Sequence, residues 1–235
     1  RLPAMVPRLA RFVKPAAFQL TTFRGSAGEF HARDLLADGR PVVVVCESTA
    51  PAVVLGSRQQ VDVVDVDACR RAGVDIVKRR SGGGVVLVVP ATMCWFDVVV
   101  PAGDPRMASA AEDVGASMRW LGARIVAALA QLSVAGVTAH AGPLTGGGLG
   151  ELVCFAGLGP GEVLLSGNKL VGISQRRTRR GSRFQCMVHV RWEPDVLVRL
   201  LAPPRPALAE LPAVAVLPAA VATALPGVLA ALLVG

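Results

Sequence analysis

Two stretches of this chain bring together residue types that can hold an anion or an activated acyl group. The first is Arg79-Arg80-Ser81-Gly82-Gly83-Gly84. Three successive glycines let the backbone pass very close to a ligand and turn its N–H groups into an anion-binding concavity. The neighbouring arginines add charge and forked donors suited to phosphate or carboxylate. The same run also describes a tight hairpin with a basic rim. It is not the phosphate loop of nucleoside triphosphatases, because G-x-x-x-x-G-K-[ST] occurs nowhere in the sequence. The second stretch is Gly167-Asn168-Lys169-Leu170-Val171-Gly172-Ile173-Ser174-Gln175-Arg176-Arg177. Lys169 opens an apolar strand directly after a turn. A lysine held there can point into a site and neutralise developing negative charge. Gly172 leaves room for a ligand over the strand. An exposed lysine at a hairpin tip is the competing reading.

Both stretches need a frame. Val74 to Arg80 reads as the strand that delivers the first, and Val85 to Val89 as the strand that leaves it. Glu162 to Leu165 and Leu170 to Ser174, with Ser166-Gly167-Asn168 between them, read as a hairpin. Further strands are expected at Pro41 to Cys46, Ala52 to Leu55, Cys94 to Val100 and over 184–192. Helices are expected over 28–38, Asp65 to Ala72, 106–132 and Asp195 to Leu201. The longest rests on Met118, Leu121, Ile125, Leu129 and Leu132, which recur every three or four residues. Residues 136–150, with Gly142, Gly146, Gly147, Gly148 and Gly150, read as a loop, and residues 1–24 as a basic, Pro-punctuated arm. Leu211 to Gly235 holds no charged residue and is long enough to cross a bilayer. Pro212, Pro218 and Pro226 interrupt it, so two or three short helices packed on the core are expected instead. No repeat or low-complexity linker divides the chain, and one domain over residues 1–235 is expected.

Composition narrows the class. The chain has 235 residues, of which 52% are hydrophobic and 18% charged. Such a chain is not intrinsically disordered. Five cysteines without any C-x-x-C pair argue against a disulfide framework or a zinc knuckle, and for a reducing compartment, the cytoplasm. His31, His140 and His189 lie far apart, so no metal site is expected. Residues 1–20 lack an apolar run suited to a secretion signal.

The two stretches, in this order, resemble the biotin/lipoate protein ligase superfamily. They are most similar to the lipoate-protein ligase branch, whose pattern is Arg-Arg-(Ser/Thr)-Gly-Gly-Gly-Ala-Val and then Gly-(Arg/Lys)-Lys-(Ile/Leu)-x-Gly-Ser-Ala-Gln. Pro51-Ala52-Val53-Val54-Leu55-Gly56-Ser57-Arg58-Gln59 resembles that family's first strand and its Gly-x-x-Gln turn. The resemblance spans residues 20–201. It implies an α+β fold, a mixed sheet flanked by helices, related to class II aminoacyl-tRNA synthetases. It implies attachment of lipoate or octanoate to a lysine of a carrier domain, with ATP and Mg2+ activating the carboxylate as an acyl-adenylate. By matching positions, Lys169 is the catalytic lysine that contacts acyl carbonyl and phosphate. Arg79, Arg80, Ser81, Gly82, Gly83, Gly84, Gly172 and Ser174 then line the acyl and nucleotide pocket. The apolar strands around them would form the acyl channel, where burial is worth about 0.8 kcal/mol per methylene. The chain departs from the branch after the glycines. Ligases continue with Ala-Val-Tyr-His-Asp, whereas Val85-Val86-Leu87-Val88-Val89-Pro90 is apolar, and Gly161-Glu162 stands where Asn-Asp is usual.

Val153-Cys154-Phe155 carries a second resemblance, to the cysteine-type octanoyltransferases of the same superfamily. There a Cys-Phe precedes a Glu and the lysine motif at a similar distance, and the thiolate takes octanoyl from a carrier thioester without ATP. That implies Cys154 as a nucleophile, with Lys169 as the cation that favours the thiolate and steadies the oxyanion. A buried structural cysteine is the alternative. The ligase assignment is favoured narrowly, the octanoyltransferase is close behind, and a non-catalytic acyl- or nucleotide-binding relative comes third.

The formal net charge is +8, and nine of the 25 basic residues are Lys78, Arg79, Arg80, Lys169, Arg176, Arg177, Arg179, Arg180 and Arg183. The cluster from Arg176 to Arg183 suits an acidic lipoyl or acyl carrier domain. It also suits a solvated hairpin. Nucleic acid is disfavoured, because few aromatics are present to stack on bases, and a membrane partner is disfavoured too. The small-molecule partner is a fatty acid. His31 could face the pocket, but a place on a helix surface is expected of it; His140 is the more interesting histidine, and Cys94 and Cys186 are expected in the core.

Overall fold

The computed structural model describes residues 16–233 apart from Glu112. A seven-stranded mixed sheet runs in the order β1 (Gln19–Gly25), β2 (Val42–Ser48), β6 (Met93–Pro101), β10 (Gly181–His189), β9 (Asn168–Thr178), β8 (Val163–Leu165) and β7 (Val137–Ala139). Within this sheet only β1 and β2 pair in parallel. A three-stranded sheet places β3 (Ala52–Leu55) between β4 (Asp75–Lys78) and β5 (Val86–Val88).

The strand period of two assigns the layers. On β10, Phe184, Cys186 and Val188 join the core under helices α3 (Val114–Gln131) and α6 (Ala219–Leu232). The alternate residues Arg183, Gln185, Met187 and His189 are buried as well. Trp95 and Met187 of the large sheet meet Val54, Val86 and Val88 of the small sheet. The small sheet's other face, with Val53, Leu55 and Leu87, packs on Cys69 of α2 (Val66–Arg71) and on Leu197 and Leu200 of α5 (Pro194–Leu200). The result is four layers: helices, large sheet, small sheet, helices. The space between the two sheets is where the candidate site forms.

Several boundaries differ from the sequence expectation. The helix expected over 28–38 is the single short α1 (Ala27–Ala32), opened by a Ser26–Glu29 capping box. It ends at Arg33, whose backbone is extended, and Arg183 donates to the carbonyls of Phe30 and Arg33 there. The helix expected from 106 begins only at Val114, because the Asp113 side chain caps the Ala116 amide, and Pro105–Ala110 forms a 3-10 turn. The expected loop over 136–150 contains β7 and the start of α4 (Gly147–Leu152). Of the expected basic arm, residues 1–15 lie outside the described residues, and Gln19–Gly25 is an edge strand. The tail forms one helix, α6, which runs through Pro226. The hydrogen bond missing at the proline is offset by burial of Leu225, Leu229 and Leu233. No helix among the described residues is long and apolar enough to cross a membrane.

Candidate active site

The glycine loop is held from three sides. Gly83 has a φ of +97°, a conformation glycine adopts without strain. A Cβ on Gly56 would lie 1.8 Å from Gly83 O, so glycine at 56 is what lets the β3 turn and the loop touch. Arg79 is buried, and its guanidinium donates to Gly82 O at 2.8 Å and Gly84 O at 2.9 Å. The loop also joins the cysteine segment: Val85 N donates to Leu152 O at 2.8 Å, and Cys154 N donates to Val85 O at 3.0 Å. Gln59 braces the same junction, accepting from Gly56 N at 2.9 Å and donating to Leu152 O at 3.1 Å.

Lys169 stands at the start of β9 with its ammonium surrounded. Nζ lies 2.8 Å from Glu162 Oε2, from Cys154 O and from Gly157 O. Glu162 in turn accepts from Gly159 N at 2.7 Å and Ile173 N at 3.0 Å. All three ammonium protons therefore have acceptors within the protein. The lysine's observed work is to fix the Cys154 turn.

Two cavities meet at Cys154. A narrow slot lies between the sheets, walled by Val54, Val86, Val88, Trp95 and Met187. A wider cleft opens beside it, lined by Gln59, Gly82, Gly83, Gly84, Lys169 and Gln175 among others. Cys154, Ile173 and Ser174 border both. Cys154 is half-buried, and a Cβ on Gly83 would stand 3.5 Å from its Sγ. A Cβ on Gly172 would meet the Phe155 ring at 3.0 Å, so glycine there lets Phe155 lie over β9. The slot also has polar groups. Ser81 Oγ donates to Gln185 Oε1 and lies 3.0 Å from Ser174 Oγ, and Gln185 Nε2 lies 3.2 Å from His31 Nδ1.

The expected site residues thus fall into groups. Cys154, Lys169, Gly82, Gly83, Gly84, Gly172 and Ser174 gather around the junction, with Arg79 and Ser81 behind the loop. Arg80 is exposed and borders neither cavity. His31 is not on the helix surface. It is buried beside Trp95, with ring centroids 4.9 Å apart, and faces the slot. Burial, with Arg183 and Arg79 nearby, lowers its pKa to about 3, so it is neutral at physiological pH. His140 staples its own loop, Nε2 standing 2.9 Å from Pro143 O, and borders none of these cavities. Arg183 leaves the basic cluster to pair with buried Asp97. Among the described residues, no group of three or more His, Cys, Asp or Glu could hold a metal ion. The carboxylates bordering the cleft are Glu151 and Glu162, and Glu162 is committed to Lys169.

A family model, the lipoyl protein ligase A/B catalytic domain, matches residues 29–225. The chain belongs to that family. Its solved neighbours share the fold at low identity. The putative lipoate protein ligase Ta0514 from T. acidophilum with bound lipoic acid superposes with a TM-score of 0.65 at 18% identity, covering 93% of this chain and 86% of that one. Lipoate-protein ligase A bound with ATP gives 0.62 at 16%, covering 87% and 77%. A bipartite lipoate protein ligase from Thermoplasma acidophilum, described with its E2 lipoyl domain, gives 0.65 at 18%, covering 92% and 84%. No curated protein matches the sequence. As a lipoyl protein ligase family enzyme, the chain carries a glycine loop, a lysine hairpin and, between them in sequence, the Cys154 thiol.

Proposed function

We propose that this enzyme moves an octanoyl or lipoyl group onto a lysine of a lipoyl carrier domain through a thioester on Cys154. The observation that carries this reading is the place of Cys154: its thiol borders the apolar slot, the open cleft and the glycine loop at once. Lys169 and Arg79, the buried cations at the loop, are engaged by protein carbonyls and Glu162. That leaves the thiol as the uncommitted reactive group at the junction.

In the first step the Cys154 thiolate attacks the carbonyl of an acyl thioester on a donor carrier. The carrier C–S bond breaks, and the carrier thiol leaves with the proton that Cys154 gave up. In the second step the amine of the acceptor lysine attacks the Cys154 thioester. An amide forms, the C–S bond breaks and Cys154 regains a proton from the amine. The slot holds the acyl chain throughout. A lipoyl domain suits the acceptor role because the archaeal neighbour is described with one. Arg80, Arg176, Arg177 and Arg179 make no ion pair among the described residues and give this end of the sheet a positive charge suited to an acidic carrier. The cytoplasm suits an enzyme that works through a free thiol.

The second reading is ATP-dependent ligation. The breadth of the cleft beside the glycine loop favours it, and one neighbour binds ATP. The glycine loop and Gln59 would border the nucleotide, and Glu151 is the cleft carboxylate free of Lys169 to meet its Mg2+. Intact mass spectrometry of an apo lipoyl domain separates the two. Acylation from an octanoyl-carrier thioester without ATP, lost in Cys154→Ser, is the expected result. Acylation that needs octanoate and magnesium ATP and survives Cys154→Ser would replace it with the ligase.

A further inference from the structure

Besides Arg79, whose guanidinium is taken up by backbone carbonyls, and the Cys154 thiol at its mouth, the slot carries one connected chain of polar side chains, and the chain has a direction. The Nε2 of Gln185 can only donate, so the His31 Nδ1 atom 3.2 Å away accepts. His31 is held neutral by burial and by Arg183 and Arg79. A neutral imidazole that accepts at Nδ1 carries its proton on Nε2. That Nε2–H has no hydrogen-bond partner among the described residues, yet it is not sealed in protein as the Nε2 of His189 is. His31 itself is only 8% exposed, and it borders the slot. The wall of the slot therefore carries a largely desolvated donor with no partner among the described residues.

Position says what would satisfy it. Cys154, Ile173 and Ser174 border both slot and cleft and so mark the slot's mouth, whereas His31, Trp95, Val88 and Met187 border the slot alone. An acyl group attached at Cys154 would run from that mouth towards His31. A plain hydrocarbon end would strip the remaining water from the imidazole N–H and give nothing back. A chain end that carries acceptor atoms would restore the bond.

We propose that His31 is a specificity-determining residue, and that its Nε2–H selects an acyl chain ending in a dithiolane ring, a lipoyl group, over an octanoyl chain. The inference rests on reading the slot as the acyl pocket. Ring sulfur is a polarizable, weak acceptor that also packs favourably on aromatic and sulfur-bearing walls. Trp95, Met187 and Cys186 supply such walls here. His31 does not serve as a base, since a group with a pKa near 3 holds no proton-abstracting power at neutral pH.

The test is titration calorimetry of the full chain with free lipoate and free octanoate. Wild-type protein is expected to bind lipoate about tenfold more tightly. His31→Phe keeps the ring shape without the donor and is expected to erase the ratio, while His31→Gln, which retains an N–H near the same place, restores part of it. Both acids binding to wild type with a ratio that His31→Phe leaves unchanged would overturn the selection and leave the acyl slot standing. Neither acid binding to wild type would overturn both readings. A probe that needs no variant is 8-hydroxyoctanoate, whose terminal oxygen accepts. It is expected to bind wild type more tightly than octanoate, and equal or weaker binding counts against His31.

Discussion

Lys169 Nζ lies 2.8 Å from Glu162 Oε2, with the two side chains 6% and 5% exposed, and the pair clamps the carbonyl of Cys154. A buried pair of this kind is costly to break from one side, because the surviving charge is left without a partner. Glu162→Gln is therefore expected to lower unfolding stability by about 3–5 kcal/mol. The double variant Glu162→Gln with Lys169→Met is expected to recover part of that loss. Urea denaturation of the three proteins checks it, and a double variant no more stable than Glu162→Gln would count against the pair as the source.

Cys154→Ser keeps the shape of the side chain and removes the thiolate. Acyl transfer from a thioester donor is expected to fall by at least about a thousandfold. The thermal midpoint is expected to stay near wild type, because Cys154 is half-buried and its backbone, not its sulfur, makes the hydrogen bonds. A covalent acyl adduct on wild type, absent from the variant by mass spectrometry, is the direct check.

Gly56 and Gly82 make a matched pair. A methyl on Gly56 would enter the space of Gly83 O, whereas one on Gly82 meets nothing within 4 Å. Gly56→Ala is expected to cost about 1–3 kcal/mol and to distort the loop. Gly82→Ala is expected to stay within about 0.5 kcal/mol of wild type. Thermal unfolding and acylation rate together decide it.

Acid should unfold the protein through two histidines. Burial holds His31 at a pKa of about 3 and His189 at about 4, both below the usual 6.5. Each binds a proton more readily in the unfolded chain. Their contribution is complete above pH 6.5 and is lost as the pH falls towards 4 and then 3. Unfolding free energies from urea titrations between pH 7 and 4.5 are expected to drop by an amount on the order of 4 kcal/mol. His189, whose Nε2 has no hydrogen bond, can be replaced by Phe, and that variant is expected to show about half the drop.

Recruitment of an acidic carrier by Arg80, Arg176, Arg177 and Arg179 predicts salt sensitivity. The KM for the carrier is expected to rise about tenfold from low to high salt, with kcat little changed. Arg177→Glu with Arg179→Glu is expected to flatten that response. A salt-independent KM in wild type removes the electrostatic role.

What was legible in the sequence depended on how local its cause was. Strand β3 appears at Ala52–Leu55 as expected, since an apolar run between Pro51 and Gly56 leaves little choice. The glycine loop, Lys169 and Cys154 were visible as motifs because their spacing carries the signal. β7, three residues long, has too few positions to display a period. His31, Gln185 and Arg183 were hidden for another reason. Alternation on β10 normally sends polar residues to solvent, but here a second sheet covers that face, so Gln185 and Arg183 point inward. His31 follows from the same covering, because α1 packs over Trp95. A Gly-x-x-Gln turn did mark Gln59, whose brace between Gly56 and Leu152 only the tertiary structure explains.

The shared border of slot and cleft at Cys154, Ile173 and Ser174 has a kinetic consequence. On the thioester route, donor carrier and acceptor domain both approach the thiol from the cleft side. They must take turns: the discharged donor departs before the acceptor arrives, and the acylated enzyme waits between the two visits. The rate law is then double displacement, with parallel reciprocal plots. Either carrier in excess inhibits the other by occupying the doorway at the wrong moment.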